Sequence, residues 1–182
     1  GSVLHGDLGT SITSNRPVST IIMESFPISF DLGVRAIILA VVFGIGLGSL
    51  AAIKRGRKAD TFAMLVAVIG VSVPSFIIAA LLQFFIALKL GQSLGTYIFP
   101  VSGWTTFASK ILPPIALSFG SMATISRLMR TSMLDVLSSD YIKTAKAKGL
   151  SQKLIVWRHA IRNAVMPVIT VLGPITASVL TG

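Results

Sequence analysis

The amino-acid sequence predicts an all-α integral membrane protein, a polytopic helical bundle of about four membrane-spanning helices that carries a helix-turn-helix loop on its cytoplasmic side. Hydrophobic residues make up 53% of the 182 residues, and charged residues make up only 12%, whereas soluble domains carry about 25%. The mean hydropathy is +0.84. Four uncharged stretches approach the roughly 20 residues that a helix needs to cross a bilayer.

The four apolar stretches fit a bilayer to different degrees. They comprise residues 36–53, 61–88, 111–126 and 163–182. The first stretch, which extends back across Arg35 to Leu32, and the fourth have the length of one span. The third has that length if Arg127 and Arg130 extend their head groups to the lipid surface. The second would measure about 42 Å as one straight helix, so we expect it to bend at Pro74 or to contain a re-entrant piece.

The basic residues predict the orientation of the chain. The formal net charge is +10, and two segments hold most of the positive charge: residues 54–58 carry four Lys or Arg, and residues 127–162 carry eight. The loop between them, residues 89–110, has lysines only at its two ends and contains four aromatic residues. Because cytoplasmic loops of membrane proteins are rich in Lys and Arg, we expect both basic segments in the cytoplasm and the aromatic loop outside.

Two acidic residues near the ends of these stretches have structural interpretations. Asp31 and Arg35 are four residues apart and are expected to pair on one helix face at the outer boundary. Asp60 follows the basic loop and precedes Thr61, which is typical of a helix N-cap.

Glycines and prolines within the stretches also predict local structure. "GIGLG", residues 44–48, superficially resembles a dinucleotide-binding turn, but it lies inside a lipid-length stretch rather than between a strand and a helix. Gly44 and Gly48 instead predict a small-residue face for close helix packing. Pro113 and Pro114 suit the first turn of a helix, where missing donors cost little.

No pattern in the chain indicates catalysis. There is no cysteine, the phosphate-binding loop G-x-x-x-x-G-K-[ST] does not occur, and the two histidines, His5 and His159, are far apart. No serine is marked as a nucleophile by a neighbouring His and acid. The apolar stretches also lack the Asp or Glu of proton-coupled carriers. We therefore predict that the chain is not an enzyme and holds neither a metal nor a cofactor.

Residues 138–162 predict two helices joined by a glycine turn. Good N-cap candidates are Ser138, Ser139 and Asp140. The stretch "YIKTAKAK" favours a helix, and Gly149 suits the left-handed position that ends it. Ser151 can then cap a second helix, "QKLIVWRHAIRNAV", ahead of Pro167.

Three interpretations compete for this loop. Tyr141, Ala145 and Leu150 give its first helix a partly apolar side that fits a groove on another protein. A DNA-binding helix-turn-helix is the second, but its core needs a third helix in a soluble domain, and here membrane spans flank the loop. The third is a basic loop that only sets topology, which leaves the order of alanines and glycine unexplained.

The residues of this loop resemble the EAA loop of the integral-membrane subunits of ATP-binding-cassette importers, and more closely the oligopeptide/dipeptide/nickel permease branch. The resemblance rests on "DYIKTAKAKGL" and "RHAIRNAVMPVIT", and extends to "GDLGTS", "RPV", "SVPSF" and "ISRLMRTSMLDVLSSDYI" elsewhere in the chain. Lys143 replaces the acidic residue of the general motif, and Thr144 replaces its first alanine. Both departures fit the peptide branch.

The resemblance implies a coupling role for the first loop helix, seated in a groove on a separate cytoplasmic ATPase subunit. The implied coupling residues are Asp140, Tyr141, Lys143, Thr144, Ala145, Ala147, Lys148, Gly149 and Leu150. Ala145 and Gly149 would allow close approach of the backbones. Other implied partners are a second permease subunit, an extracytoplasmic substrate-binding protein and the lipid membrane, but no nucleic acid. ATP and magnesium would belong to the ATPase subunits.

The implied protein is a multi-pass permease of the cytoplasmic membrane that translocates oligopeptides, dipeptides or a related small ligand; the alternative is a motorless secondary carrier or channel. We expect residues 1–31 to form an external N-terminal segment of a truncated permease. Residues 32–182 would form the transmembrane type-1 domain, cut short before its last span, with the coupling loop at 138–162. Polar candidates near the pore are Ser72, Ser75, Gln83 and Ser118, although a helix-packing hydrogen bond is the favoured interpretation of each.

Overall fold

The computed structural model describes residues 8–100 and 103–181, so Gly6 and Asp7 of the "GDLGTS" motif and Gly182 of the fourth apolar stretch lie outside it. The helices are α1 (Val18–Ile53), α2 (Lys58–Ser72), α3 (Ser75–Leu82), α4 (Leu90–Leu94), α5 (Leu112–Ser138), α6 (Asp140–Ala147), α7 (Gln152–Leu154), α8 (Ile161–Ala164) and α9 (Met166–Thr181). π-helical turns, Gln83–Lys89 and Ile155–Ala160, join α3 to α4 and α7 to α8. A short 3-10 turn, Ala108–Lys110, precedes α5.

Three helical segments of the described chain are long and apolar enough to cross a membrane: Val18–Ile53, Ser75–Leu94 and Ala108–Ser138. A fourth is obtained if Gln152–Ala164 and Met166–Thr181, which are bent by 45° relative to each other, count as one span. The prediction of an all-α polytopic membrane protein is therefore confirmed.

Helix α1 begins well before the first apolar stretch. It starts at Val18 and has 36 residues, which corresponds to about 54 Å. The charges that bound the apolar pattern do not end the helix, because Arg35 Nε donates to Asp31 Oδ1 at 2.6 Å on the helix surface, as predicted. A charged pair four residues apart is compatible with a continuing helix, and this explains why the apolar pattern understates the length of α1.

Helix α5 is the centre of the bundle, and α1 packs along it more extensively than any other helix. Gly44 and Gly48 face α5: a Cβ at Gly44 would lie 2.8 Å from the Cβ of Ile125, and one at Gly48 would collide with the carbonyl oxygen of Ser126. The predicted packing face is confirmed. The core around α5 includes the buried side chains of Ala40, Ile125, Met129, Met133, Val156, Ala160, Ala164 and Val168. Pro113 and Pro114 lie in the first turn of α5, as predicted.

The second apolar stretch is broken where a bend was expected. Val73 and Pro74 both have extended backbone, with ψ angles of 123° and 140°, so α2 ends and α3 begins there. Helices α2 and α3 nevertheless follow α5 in order. Asp60 pairs with α5 at one end, Gly70 contacts Ala123 farther along, and Ala79 lines the same pockets as Pro113 near the other end. Together α2 and α3 form one interrupted crossing.

The two ends of the bundle carry different charges. Residues 54–58 and Arg130 meet at one end, while Lys110 lies at the other, 3.5 Å from Asp31 and 5.5 Å from the ring centre of Trp104. The distance along α5 from Lys110 to Arg130 is about 30 Å, which matches the thickness of a bilayer core. The two basic segments thus share one end and the aromatic loop lies at the other, as alternating spans require.

Asp60 and Arg130 differ from their sequence-based interpretations. Helix α2 begins at Lys58, so Asp60 is its third residue rather than its N-cap, and the prediction was wrong. Its carboxylate accepts hydrogen bonds from Arg130 Nε and Nη2 at 2.7 and 2.8 Å, and from the Gly56 N–H at 2.9 Å. Arg130 therefore pairs inside the protein instead of extending to the lipid surface. At this end of the bundle, ahead of the apolar part of α2, the bonds from Arg130 and Gly56 hold the pKa of Asp60 well below its usual range.

Candidate functional site: the cytoplasmic hairpin

Residues 138–162 fold into a short helical hairpin, called the cytoplasmic hairpin below after the side that its basic residues predict. Of the three N-cap candidates, Ser139 occupies the cap position of α6, with extended backbone, and its hydroxyl donates to the Val136 carbonyl at 2.6 Å instead of capping the helix. Helix α6 then runs to Ala147. The sequence thus predicted the helix and its start, whereas the serine hydroxyl bonds back to α5.

The turn that ends α6 has the geometry predicted for it. Gly149 has φ +77°, in the left-handed region. Its N–H donates to the Lys146 carbonyl at 2.9 Å, and the N–H of Leu150 donates to the Ala145 carbonyl at 3.2 Å. These two bonds form a Schellman motif, which satisfies the carbonyls at the end of the helix. A Cβ at Gly149 would meet open space, so the need for glycine comes from the backbone angle alone.

The second half of the hairpin leads directly into the membrane. The Ser151 hydroxyl accepts the N–H of Leu154 at 3.4 Å, which confirms the predicted cap. Helix α7 continues through a π-helical turn and α8 to Ala164, where the axis bends by 45° and α9 begins. Pro167 is the second residue of α9. The hairpin and α9 are therefore one connected helical path.

The inner face of α6 is buried in the core of the hairpin. Ile142 and Ile155 are fully buried, Ala145 is 9% exposed, and Leu150 packs against them. Tyr141 is instead 46% exposed, and its hydroxyl accepts a hydrogen bond from Asn163 Nδ2 at 3.0 Å. Ala145 and Leu150 therefore do not face outward, so the apolar side expected to contact a partner stabilises the hairpin instead.

The outer face of α6 presents small residues with basic residues around them. It comprises the exposed residues Asp140, Lys143, Thr144, Ala147 and Lys148. At 100° per residue, Thr144 and Ala147 lie opposite the buried face. Lys143 Nζ lies 2.8 Å from Asp140 Oδ1, and Lys146 and Lys148 are exposed closer to the turn. The side chains at the centre of this face are small, and lysines flank them. The face therefore suits a groove with acidic or polar walls.

The polar candidates in the membrane separate into two groups. The Ser118 hydroxyl donates to the Ile115 carbonyl of its own helix at 2.7 Å, which supports a packing role. Ser75 begins α3 beside the break and lines a cleft, together with Ser121 of α5 and Ser178 of α9. Gln83 lines a different pocket. Sequence reasoning missed Ser121 and Ser178, because each lies in an ordinary apolar helix and no local signal distinguishes it.

Comparison with known families assigns most of the chain. Residues 44–182 match the family model described as "Binding-protein-dependent transport system inner membrane component". This match includes α2 to α9 and the last ten of the 36 residues of α1.

Curated relatives align along nearly the whole chain. The dipeptide transport system permease protein DppB of Bacillus subtilis is 48% identical over 100% of this chain and 57% of its own length. DppB of Lactococcus lactis subsp. cremoris is 45% identical, over 100% of this chain and 58% of its own. The oligopeptide transport system permease protein OppB of Escherichia coli K12 is 40% identical, over 98% and 57%. The chain thus spans somewhat more than half the length of these relatives.

Proposed function

The chain belongs to the family of binding-protein-dependent transport system inner membrane components, and from this we propose that it is the permease part of an ATP-driven importer of dipeptides or oligopeptides. Its implied partners are cytoplasmic ATP-binding-cassette ATPase subunits, a second permease subunit and an external substrate-binding protein. ATP and magnesium would be held by the ATPase subunits.

The outer face of α6 is the observation that supports coupling to a motor. The sequence predicted that the apolar side of α6 contacts the partner, but Ile142 and Ala145 are buried within the hairpin. The exposed surface that remains has Thr144 and Ala147 at its centre. Small side chains there let a groove close around the helix backbone, and the surrounding lysines guide association with an acidic rim. In this proposal Ala147 takes the close-approach role first assigned to Ala145.

Helix α9 offers a route from the hairpin to the membrane bundle. It contacts α5 and α1, and the Leu180 side chain near its end lies against Gly33. Movement of α6 in an ATPase groove would pass through the second half of the hairpin to α9 and then to α1. Such a movement shifts the bundle between outward-facing and inward-facing states only if the ATPases contact the two states differently.

Bulk added to the outer face tests this proposal. The full-length protein, tagged and extracted in a mild detergent, is purified as wild type, Thr144→Trp and Gln152→Trp. Gln152 is exposed on the other half of the hairpin, so Gln152→Trp is a control of equal bulk. We expect ATPase subunits and a second permease to co-purify with wild type and Gln152→Trp, and the ATPases to be lost from Thr144→Trp.

Two results would contradict the proposal. If Thr144→Trp keeps its ATPases and its ATP-dependent uptake of labelled dialanine or trialanine, the outer face of α6 is not the docking surface. If wild type purifies alone, in a detergent that preserves related complexes, and moves peptides without ATP, the protein is a motorless carrier.

A further inference from the structure

A cleft of about 420 Å³ opens where the second crossing is broken. Its lining includes Gly70, Pro74 and Ser75 from the break, Gly120 and Ser121 from α5, and Ser178 from α9. Sites for small ligands typically measure about 300 to 1,000 Å³, so the volume is adequate for a short peptide segment. We call this space the midmembrane cleft.

The name follows from its depth along α5. Ser121 lies nine residues from Arg130, at the cytoplasmic charged layer, and eleven residues from Lys110, at the outer layer. These separations correspond to about 14 and 17 Å of helix, against a bilayer core of about 30 Å. The cleft therefore lies close to the middle of the membrane.

The break places polar backbone at this depth. Pro74 has no N–H to donate to the Gly70 carbonyl, and the extended backbone at Val73, with φ −96° and ψ 123°, ends the helical ladder. Lipid cannot hydrogen-bond such groups, and irregular backbone persists in a membrane only where it is enclosed by protein or lines a water-filled cavity. A Cβ at Gly120 would lie 3.6 Å from the Gly70 carbonyl oxygen, so the glycine on α5 keeps that side of the break open.

The chemistry of the lining is polar but uncharged. Three hydroxyls from three helices, Ser75, Ser121 and Ser178, border the cleft, and no charged side chain contributes to the lining in the part of the chain described. Each hydroxyl can both donate and accept, as the amides of a peptide do. Elsewhere on α5, the hydroxyls of Ser118 and Thr124 donate to carbonyls of their own helix.

From these observations we infer that the midmembrane cleft is a section of the translocation path and binds the main-chain amides of a passing peptide. The serine hydroxyls and the free backbone groups of the break supply the hydrogen bonds. Because the lining is uncharged, the cleft holds acidic, basic and neutral peptides alike. This inference rests on the function proposed above and adds to it the location and the chemistry of a substrate contact.

Cysteine labelling tests the inference, and the chain itself contains no cysteine. The full-length transporter, with any other cysteines replaced, is assembled in proteoliposomes with single cysteines at Ser121 or Ser178. Ala177→Cys and Thr124→Cys are the matched controls, since each lies on the same helix as a lining serine but outside the lining. We expect a charged, membrane-impermeant methanethiosulfonate to modify the lining cysteines at least about tenfold faster than the controls, because thiolates form in water and not in lipid.

The contact with the peptide is tested by asking whether a bound peptide protects the lining cysteines from modification. Trialanine, and tripeptides in which the middle residue is Lys or Glu, should each slow modification of the lining cysteines severalfold and to a similar extent. As an independent variant, Gly120→Leu fills the cleft. It should abolish uptake of labelled trialanine while the ATPase subunits still co-purify, whereas Gly120→Ala should keep most of the uptake, because its Cβ makes only ordinary contact.

Each alternative result has a distinct meaning. Lining cysteines that react as slowly as the controls, in a transporter that takes up peptide, would show that another helix fills the cleft and would overturn the inference. Rapid reaction without protection by any of the peptides would reduce the cleft to a water pocket and overturn it as well. If the cysteine-free parent assembles with ATPases but takes up no peptide, the proposed function fails first.

Discussion

The two sides of α5 are packed in different ways. Against α1 the contact is made backbone to backbone, with Gly48 beside the Ser126 carbonyl and no room for even one added carbon atom. Against α2 and α3 the contacts are an ion pair at one end, Asp60 with Arg130, a close approach at Gly70 and, beyond the break and its cleft, the packing of α3 on α5. Close packing resists sliding, whereas a helix held at one end and broken in the middle can change its course. We therefore expect α1 and α5 to form the rigid side of the bundle, and the broken crossing of α2 and α3 to form its adjustable side.

The largest effect is expected from breaking the rigid side. In Gly48→Leu the new side chain meets backbone of α5, which cannot move aside, so α1 must separate from α5. Overpacking of this kind typically costs about 1 to 3 kcal/mol, and more where backbone is the obstacle. Since about 1.4 kcal/mol corresponds to a factor of ten, we expect at least a tenfold loss of folded protein in the membrane. Fluorescence-detected size exclusion measures this loss. Gly46→Leu is the control, because a Cβ at Gly46 meets nothing within 4 Å; equal yields of the two variants would contradict the packing.

The ion pair on the adjustable side should have the next largest effect. Asp60→Ala leaves the Arg130 guanidinium without its carboxylate partner, and we expect a lower Tm in detergent and a severalfold lower yield. Exchanging the two residues, Asp60→Arg with Arg130→Asp, should restore part of the loss. Because the folded-state pKa of Asp60 is lowered, the pair stabilises the fold above the usual carboxyl pKa and loses its effect only in acid. The difference in Tm between wild type and Asp60→Ala should therefore be the same at pH 8 and pH 6.

A smaller effect is expected at the turn of the cytoplasmic hairpin, which ends the helix proposed to dock on the ATPase. Gly149→Ala forces an L-residue into the left-handed region, at a cost of about 1 kcal/mol. Asn tolerates this region, so Gly149→Asn should keep the turn and retain the ATPases better than Gly149→Ala in co-purification. A Glu at this position would combine strain in the turn with repulsion from the acidic rim of the proposed ATPase groove. It would therefore be less informative than Ala or Asn. Equal behaviour of the Ala and Asn variants would show that the left-handed turn is not needed for docking.

The smallest effect should come from a hydroxyl on the rigid side. Ser126 Oγ is buried and has no hydrogen-bond partner among the residues that the structure describes. Ser126→Ala removes an unsatisfied polar group with little change in volume, so Tm should stay the same or rise by the equivalent of up to about 1 kcal/mol. The comparison variant is Ser118→Ala, which loses a 2.7 Å bond and should not be stabilised. A marked loss of Tm in Ser126→Ala alone would reveal a partner for its hydroxyl.

Features that depend on local backbone chemistry could be predicted from the sequence. The break at Pro74 follows from the missing N–H of proline, and the turn at Gly149 follows from its freedom at positive φ. The Ser151 cap, the glycine packing face of α1 and the number of spans follow equally from short-range patterns.

Features that depend on distant residues could not be predicted. The partner of Asp60 lies 70 positions away, so its N-cap interpretation had no local competitor. The inward orientation of Ala145 depends on Ile155, across the turn. The midmembrane cleft exists only because α9 brings Ser178 to the break in the second crossing. In each case the contact joins separate helical segments, and a local sequence pattern does not show how such segments are placed relative to each other.

The bend between α8 and α9 has a mechanical consequence. It contains no glycine, Val165 keeps helical dihedral angles, and its N–H still donates to the Ile161 carbonyl at 3.0 Å, as the Ile169 N–H does to Val165 at 3.0 Å. The elbow lies just before Pro167, which has no N–H to donate to the Asn163 carbonyl, and Gln152–Ala164 is the arm attached to it. The arm is about 20 Å long, so a rotation of about 10° at the elbow corresponds to a displacement of roughly 3.5 Å at its tip. A displacement of the hairpin would therefore reach the membrane bundle as a rotation of α9 about this bend.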